Sequence, residues 1–137
     1  MKYIAIRFDP YYPDSLTNDI RRYNYIYHLS PTYNLESIKK NGFIPKSENE
    51  RFMYPPKLHL IKGDTSIKEI ENIGKQLYKA NNNPNNTGDY ILFSIVVNRI
   101  PGNIEFFGDS FYECGICTYD PIPYSAVVTT QEMKFNK

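Results

Sequence analysis

Residues 23–45 read YNYIYHLSPTYNLESIKKNGFIP, and three local signals follow one another in this stretch. Tyr23–Leu29 is rich in aromatic and β-branched side chains, which favours a β-strand. Asn34 is a suitable N-cap for a short helix over Leu35–Lys40. Gly42 follows the two lysines that close this helix, where a C-terminal glycine is common. The stretch therefore predicts a strand, a short helix and a turn, in that order.

The rest of the chain adds one helix and several strands to this unit. Ser66 and Glu69 form a capping box, and the apolar residues after them repeat at helical spacing. Tyr90–Val97 is a nearly continuous apolar run, which predicts a central strand buried on both faces. The other predicted strands are Lys2–Phe8, Lys57–Ile61, Ile104–Phe107, Gly115–Tyr119 and Ala126–Thr130. A chain of 137 residues with this pattern is expected to form a single α+β domain spanning residues 1–137.

Composition and charge exclude several classes of protein. The chain has 16 basic and 15 acidic residues, a net charge of +1, and this balance argues against broad electrostatic binding of duplex nucleic acid. No apolar run approaches the roughly 20 residues of a membrane span, and Met1 begins a strand-like segment rather than a signal peptide. Two cysteines exclude a disulfide-rich secreted scaffold. We therefore expect a cytoplasmic protein that does not interact with membranes.

Two histidines lie in predicted strands and are the first candidates for chemistry. His28 lies at a strand end, two residues before Ser30, and His59 lies within Lys57–Ile61. The ordinary interpretation of His28 is a strand residue whose hydrogen bonds are satisfied locally, and that of His59 is a strand residue on the solvent face. The functional alternative is that His28 and Ser30 form a pair that hydrogen-bonds a ribose. Both alternatives stay open on the residues alone.

Tyr-His-Leu-Ser at 27–30, the following short helix and Asn-Gly-Phe-Ile-Pro at 41–45 resemble the opening motif of the ADP-ribosyltransferase superfamily. This superfamily includes poly(ADP-ribose) polymerases, toxins of the diphtheria type, DNA-modifying ADP-ribosyltransferases and tRNA 2′-phosphotransferases. The resemblance implies an ADP-ribosyltransferase-like split antiparallel β-sheet with two short helices. It also implies that His28 and Ser30 contact NAD, which is the substrate.

Two later segments are similar to other parts of the same family. The strand around His59 resembles the one that lies near the nicotinamide, which implies a catalytic role for His59. Residues 109–123, with an acid before a strand and then an Ile-Pro turn, resemble the C-terminal segment, which places Glu113 at the catalytic acid position. A carboxylate suits that position because loss of nicotinamide leaves a positively charged, oxocarbenium-like ribose. Glu105 is the alternative acid, and a solvated surface charge is the ordinary interpretation of either glutamate.

The polar loop over Ser47–Pro56 carries two further candidates. In folds of this family such a loop covers the NAD site, so Arg51 is expected to pair with the pyrophosphate. Tyr54 is expected to stack on the nicotinamide. An exposed arginine without a partner is the ordinary alternative for Arg51.

Cys114 and Cys117 have C-x-x-C spacing, but we expect neither a metal site nor a redox site there. A zinc set would need His28 and His59 as the remaining ligands, and residues three apart on a strand point to opposite faces. A redox motif of the thioredoxin type needs a helix N-terminus, which the strand-rich context does not offer. We therefore expect two buried thiols in a reducing compartment, and no metal.

The sequence thus predicts an NAD-dependent mono-ADP-ribosyltransferase that acts on a protein or nucleic-acid acceptor. Two alternatives remain: a non-catalytic binding or structural module on the same fold, and an enzyme of the RNA 2′-phosphotransferase kind. The second alternative calls for several arginines around a phosphate, and only Arg51 and the Arg21-Arg22 pair are candidates.

Overall fold

The computed structural model describes residues 15–46, 56–108 and 114–136. The helices in these ranges are α1 (Thr17–Ile20), α2 (Leu35–Asn41) and α3 (Ile67–Ala80). The strands are β1 (Tyr25–Pro31), β2 (Leu58–Ile61), β3 (Asp89–Val96), β4 (Phe107–Gly108), β5 (Gly115–Thr118) and β6 (Val127–Lys134). The predicted strand at Lys2–Phe8 lies outside the described residues.

The six strands form one open sheet in the order β4-β5-β2-β1-β3-β6, and all neighbouring pairs are antiparallel. This arrangement confirms the predicted α+β class. The predicted central strand is also confirmed, because β3 lies between β1 and β6 and buries both of its faces. No helix in the described ranges is both long and apolar enough to cross a bilayer.

Each face of the sheet carries its own apolar cluster. Strand residues with one side-chain phase, such as Ile26, Leu60 and Phe93, pack with Phe43 and Ile122 from the connections. Residues of the opposite phase pack against α3 and Phe135; they include Leu29, Ile61, Tyr90 and Leu92. The alternation of side chains along a strand thus directs neighbouring apolar strand residues to opposite clusters. We call the first cluster the connection face and the second the α3 face.

Helix α3 begins where the capping box predicts. The hydroxyl of Ser66 accepts a hydrogen bond from the Glu69 backbone N–H at 3.2 Å, and Ile70 and Ile73 are buried on the sheet side. This bond satisfies one of the orphan donors in the first turn of the helix. The helix has 14 residues, so it is longer than the short helix that we expected.

Helix α2 confirms the predicted segment with one change at its N-terminus. Asn34 makes no side-chain capping bond, and a 3-10 turn over Thr32–Asn34 leads into the helix instead. At the other end, Gly42 has a φ of 78°, which a glycine adopts without strain. A four-residue helix, α1, has no counterpart in the sequence analysis.

The predicted strand at Ile104–Phe107 is wrong, because strand pairing in this region is limited to Phe107–Gly108. The backbone of Phe106 is bonded to Leu16 and Thr17, and the carbonyl of Ile104 is bonded to the guanidinium group of Arg21. It donates to the carbonyl oxygens of four residues at 2.7–3.3 Å, namely Val97, Ile100, Pro101 and Ile104. These carbonyls converge on one cation and so do not form a β-ladder. By contrast, β6 extends four residues beyond the predicted Ala126–Thr130.

Candidate functional site

Strands β1 and β2 pair at one position and then diverge. Within the described residues, Tyr27 is the only residue of β1 that pairs with β2, and its partner is Ile61. Two residues away on β2, the carbonyl of His59 is bonded by the side chain of His28, with Nδ1 and the oxygen 2.8 Å apart. A further two residues away, Lys57 exchanges two backbone hydrogen bonds with Lys46, at 3.0 and 3.2 Å.

These three contacts use the same edge of β2, because alternate residues of a strand direct their backbone groups to the same side. Along that edge of β2, Ile61 pairs with the backbone of β1, His59 binds the imidazole of His28, and Lys57 binds the backbone of Lys46, which follows α2. We call this divergence the fork, and it is defined by Tyr27, His28, Lys46, Lys57, His59 and Ile61. The polar end of β1, with His28 and Ser30, lies on its open side.

The contact with His59 determines the tautomer of His28. A carbonyl oxygen only accepts hydrogen bonds, so Nδ1 of His28 carries the proton and Nε2 keeps its lone pair in the neutral ring. Burial lowers the pKa of His28 from 6.5 to about 4; the bond to the His59 carbonyl opposes this shift, whereas the charges of His59 and Lys46 add to it. His28 is therefore neutral near pH 7. Its Nε2 is an acceptor on which none of the described residues places a donor.

Aromatic rings hold the imidazole of His28 in place. Phe43 contacts it edge-on with a centroid distance of 5.0 Å, and Phe93, opposite His28 on β3, lies at 6.2 Å. Phe43 and Phe93 are fully buried and pack on each other in a T-shaped pair at 5.2 Å. Edge-on ring contacts of this kind are favourable beyond the area they bury. The imidazole is therefore pre-oriented rather than free to rotate.

Ser30 lies on the same side of β1 as His28, two residues along the strand, and its side chain is buried. Its hydroxyl accepts a hydrogen bond from the side-chain amide of Asn34 at 3.1 Å. Asn34 was predicted only as a helix cap, so its place beside Ser30 was missed. The signal available in the sequence is spacing. Asn34 follows Ser30 by four residues, and the turn after Pro31 returns the chain toward the end of β1.

The two family-like motifs contact each other directly. Phe43, from Asn-Gly-Phe-Ile-Pro, exchanges two backbone hydrogen bonds with Ile122 of the Ile-Pro turn, at 2.8 and 3.0 Å. Gly42 approaches the same turn so closely that a Cβ atom there would lie 2.7 Å from the carbonyl oxygen of Ile122. The structure thus brings together two segments that are about 80 residues apart, and this contact holds Phe43 against His28.

The structure does not bring the two imidazoles to one face of the sheet. His28 shares the phase of Ile26 on the connection face, whereas His59 shares the phase of Ile61 on the α3 face. His59 contributes its main-chain carbonyl to His28, and directly opposite His59 on β5 lies the buried Cys117. The catalytic role of His59 stays a prediction.

Three of the predicted site residues, Arg51, Tyr54 and Glu113, lie outside the described residues. Both ends of the loop that carries Arg51 and Tyr54 are nevertheless at the fork, because Lys46 and Lys57 flank it. Glu113 precedes Cys114, whose carbonyl accepts a hydrogen bond from the Lys62 N–H at 2.9 Å. The strand after Glu113, β5, is separated from β1 by β2, and not adjacent to it. Glu105, the alternative acid, is exposed.

The cysteines form no metal site in the described ranges. No group of three or more His, Cys, Asp or Glu side chains with a metal-binding arrangement occurs there. Neither cysteine forms a disulfide; Cys117 is buried as predicted, whereas Cys114 is partly exposed, so the prediction of two buried thiols is wrong for Cys114. The groups suited to a ligand are therefore the acceptor Nε2 of His28 and the Ser30–Asn34 pair, which match hydroxyl groups rather than a cation.

The chain matches no protein-family model, and no curated protein is significantly similar to it in sequence.

Proposed function

We propose that the chain is an NAD-dependent mono-ADP-ribosyltransferase with an ADP-ribosyltransferase-like fold, acting on a protein or nucleic-acid acceptor. The observation that carries this proposal is His28 at the fork, held neutral and with Nε2 open as a hydrogen-bond acceptor. A ribose hydroxyl is a donor of the kind that this nitrogen accepts. The sequence motif around His28 supports the same ligand.

The neighbouring polar groups extend this interpretation from one hydroxyl to a sugar. Ser30 is two residues further along the open side of the fork, and Asn34 donates to its hydroxyl. A ribose offers adjacent hydroxyl groups, which suit two anchored polar side chains on one strand. Binding of this kind positions the ribose and leaves the chemistry to other groups.

In the proposed reaction the bond between the nicotinamide nitrogen and the ribose carbon breaks, and the bonding electron pair leaves with nicotinamide. A nucleophile of the acceptor forms the new bond to that carbon, and its proton passes to a base. We assign the base, and the stabilisation of the cationic ribose, to the carboxylate of Glu113. Arg51 and Tyr54 are assigned to the pyrophosphate and the nicotinamide ring. The catalytic role predicted for His59 is not part of this assignment, because its side chain shares the α3 face rather than the face of His28. We place the activity in the cytoplasm, where free thiols stay reduced.

The structure makes the 2′-phosphotransferase alternative weaker. That activity calls for arginines directed at a phosphate, and the guanidinium of Arg21 is instead bound to four backbone carbonyls and lies over the ring of Phe106 at 5.6 Å. A non-catalytic module that binds NAD would use the same His28 and Ser30. Only turnover separates that module from the enzyme.

The test is release of nicotinamide from NAD by the purified chain, measured with and without a cell extract as a source of acceptors. We expect slow release in water and faster release with the acceptor. Glu113→Gln should lower the rate by about 100-fold or more and leave NAD affinity unchanged. Glu36→Gln, an exposed change on α2, is the matched control.

The outcomes separate the alternatives. Loss of activity in Glu105→Gln rather than Glu113→Gln would move the acid assignment to Glu105. NAD binding without any nicotinamide release would favour the binding module. Absence of both NAD binding and release would refute the proposal.

A further inference from the structure

The hydroxyl group of Ser30 is buried, and the described residues supply it with a donor but with only a distant acceptor. Asn34 donates to its oxygen through Nδ2 at 3.1 Å. The proton of the hydroxyl is directed to the carbonyl oxygen of the next residue, Pro31, at 3.4 Å. An O–H···O hydrogen bond is usually about 2.7–2.8 Å long, so this bond is weak. A ligand atom that accepts a hydrogen bond can therefore replace it at little cost.

The chain holds Asn34 in place on both sides. Asn34 ends the 3-10 turn over Thr32–Asn34, and α2 begins at the next residue. The residue before it, Tyr33, accepts a hydrogen bond through its hydroxyl from the side-chain amide of Asn81 at 2.8 Å. Asn81 directly follows α3, so the turn is anchored to a second helix. The amide of Asn34 is therefore fixed beside Ser30.

A donor bound to the Ser30 oxygen determines how this hydroxyl meets a ligand. A serine hydroxyl has one proton and two lone pairs, so alone it can donate or accept. The bond from Asn34 favours donation of the proton, because hydrogen bonds that follow one another in a chain polarise each other. His28 has the opposite polarity, since its Nε2 is an acceptor. The open side of the fork thus offers a ligand one acceptor and, two residues along β1, one donor.

We infer that Asn34 is a positioning residue that sets the Ser30 hydroxyl as a hydrogen-bond donor, so that the site selects a sugar that donates to His28 and accepts from Ser30. The inference rests on the proposed function and deepens it, because it states which polarity the ribose presents to each side chain. A ribose meets both demands, since each of its hydroxyl groups donates and accepts and its ring oxygen accepts. Asn34 acts through Ser30 and does not need to touch the sugar.

Two substitutions at Asn34 test the polarity. In Asn34→Asp the carboxylate has nearly the shape of the amide but only accepts, so the Ser30 hydroxyl donates to it and is lost to the ligand. In Asn34→Ala the bond is removed, and the hydroxyl is free to turn toward the ligand. We expect NAD affinity to fall roughly 10- to 100-fold in Asn34→Asp and by less than about tenfold in Asn34→Ala. A purely structural role predicts the reverse order, because only alanine breaks the bond.

Titration followed by NMR uses three probes: NAD, adenosine and nicotinamide riboside. The two nucleosides carry the two riboses of NAD without phosphate, so repulsion between the new carboxylate and the diphosphate does not affect them. Ser37→Asp, an exposed change one turn further along α2, is the matched control for charge and should bind all three probes like the wild type. Thermal unfolding of every variant measures whether the fold is retained.

Ser30→Ala is a second, independent variant, because it removes the hydroxyl through which Asn34 acts. It should bind NAD about as weakly as Asn34→Asp. The double variant Ser30→Ala/Asn34→Ala should bind no more weakly than Ser30→Ala alone, since Asn34 then has no hydroxyl to orient. A further loss in the double variant would overturn the positioning role, and this comparison holds even where Asn34→Asp does not fold.

The probes separate failure of the positioning role from failure of the proposed function. Wild-type affinity in Asn34→Asp, a larger loss in Asn34→Ala, or an equal loss in Ser37→Asp would overturn the positioning role, even if NAD is turned over. Nucleoside binding that follows the expected order, in a chain that releases no nicotinamide, would support the positioning role and refute the transferase. Absence of binding of all three probes to the wild type would overturn both.

Discussion

The two ring nitrogens of His28 separate a structural role from the proposed ligand-binding role. Nδ1 donates to the His59 carbonyl and closes the gap between β1 and β2, whereas Nε2 stays available to a ligand. The sequence analysis left a structural and a functional interpretation of His28 open, as though they were exclusive. The geometry makes them compatible, because a single donor bond determines which nitrogen is the acceptor.

Two substitutions at His28 separate these roles. In His28→Asn the side-chain amide takes the place of Nδ1, so it keeps a donor toward His59 but has no group at the position of Nε2. We expect it to retain most of the stability and to weaken NAD binding by roughly tenfold. His28→Ala should lose both, and its melting temperature should fall by several degrees because the carbonyl of His59 loses its donor. Thermal shift with and without NAD measures both effects. Wild-type affinity in His28→Asn would contradict the ribose role.

The lowered pKa of His28 makes stability depend on pH in a predictable direction. The folded chain has a pKa of about 4 at this group, against 6.5 for an unperturbed histidine, so between these values the unfolded chain binds more protons. The free energy of unfolding should therefore be constant above the upper value and fall as the pH drops through this window. The steepest slope expected from one such group is about 1.4 kcal/mol per pH unit.

Urea unfolding of the wild type and His28→Asn across this window measures the effect. The difference between the two proteins isolates His28, because the carboxylates and Lys46 are common to both. We expect the wild type to lose more stability than the variant on acidification. Equal slopes would show that the imidazole is not buried in its neutral form.

At the scale of elements, the sequence correctly predicted the features that depend on residues close together along the chain. The capping box at Ser66, the C-terminal glycine of α2 and the apolar run of β3 all involve neighbours along the chain. The strand expected at Ile104–Phe107 failed because the carbonyl of Ile104 binds Arg21, 83 residues away in sequence, and the backbone of Phe106 binds Leu16 and Thr17. No periodicity in residues 97–106 indicates such a contact. Long-range side-chain contacts to the backbone are therefore the part of this fold that the pattern did not reveal.

A substitution at Gly42 tests the contact between the Asn-Gly-Phe-Ile-Pro segment and the Ile-Pro turn at Ile122. The φ of 78° at Gly42 and the 2.7 Å approach of a Cβ atom to the Ile122 carbonyl both oppose a side chain. We expect Gly42→Ala to lower the free energy of unfolding by about 2 kcal/mol or more. NAD binding should weaken as well, because Phe43 is displaced from His28.

The matched control is Gly102→Ala, where no atom lies within 4 Å of the added Cβ. Its stability should stay within about 0.5 kcal/mol of the wild type, as at an ordinary surface site. Denaturant unfolding and NAD titration compare the two variants. A stable Gly42→Ala with full NAD affinity would show that the packing of the turn on Ile122 does not support the site.

At the scale of the whole molecule, the fork divides the sheet into two groups of three strands. Strands β1, β3 and β6 lie on one side, and β2, β5 and β4 lie on the other. The backbone pairing described between β1 and β2 is limited to Tyr27 and Ile61, and the side chain of His28 adds a hydrogen bond to His59. The family-like split sheet stays a prediction. The narrow pairing between β1 and β2 was not predicted from local patterns, because each of them looks like an ordinary strand. Its physical cause is that a side chain takes the place of a ladder hydrogen bond, which periodicity cannot indicate.

A ligand bound at the fork contacts both groups of strands, so it should stabilise the molecule as a unit. At a free NAD concentration about 100 times the dissociation constant, the expected gain is about 2.7 kcal/mol. For a domain of this size, that gain corresponds to a rise in melting temperature of roughly 10 °C.

The time course of this rise separates an enzyme from a binding module. In a binding module the shift persists during incubation, whereas in a transferase it should decline as NAD is consumed and nicotinamide accumulates. In Glu113→Gln the shift should persist, because binding is retained and the reaction is slowed. A shift that decays equally in the wild type and in Glu113→Gln would contradict the assignment of the catalytic acid, and no shift in either protein would contradict NAD binding at the fork.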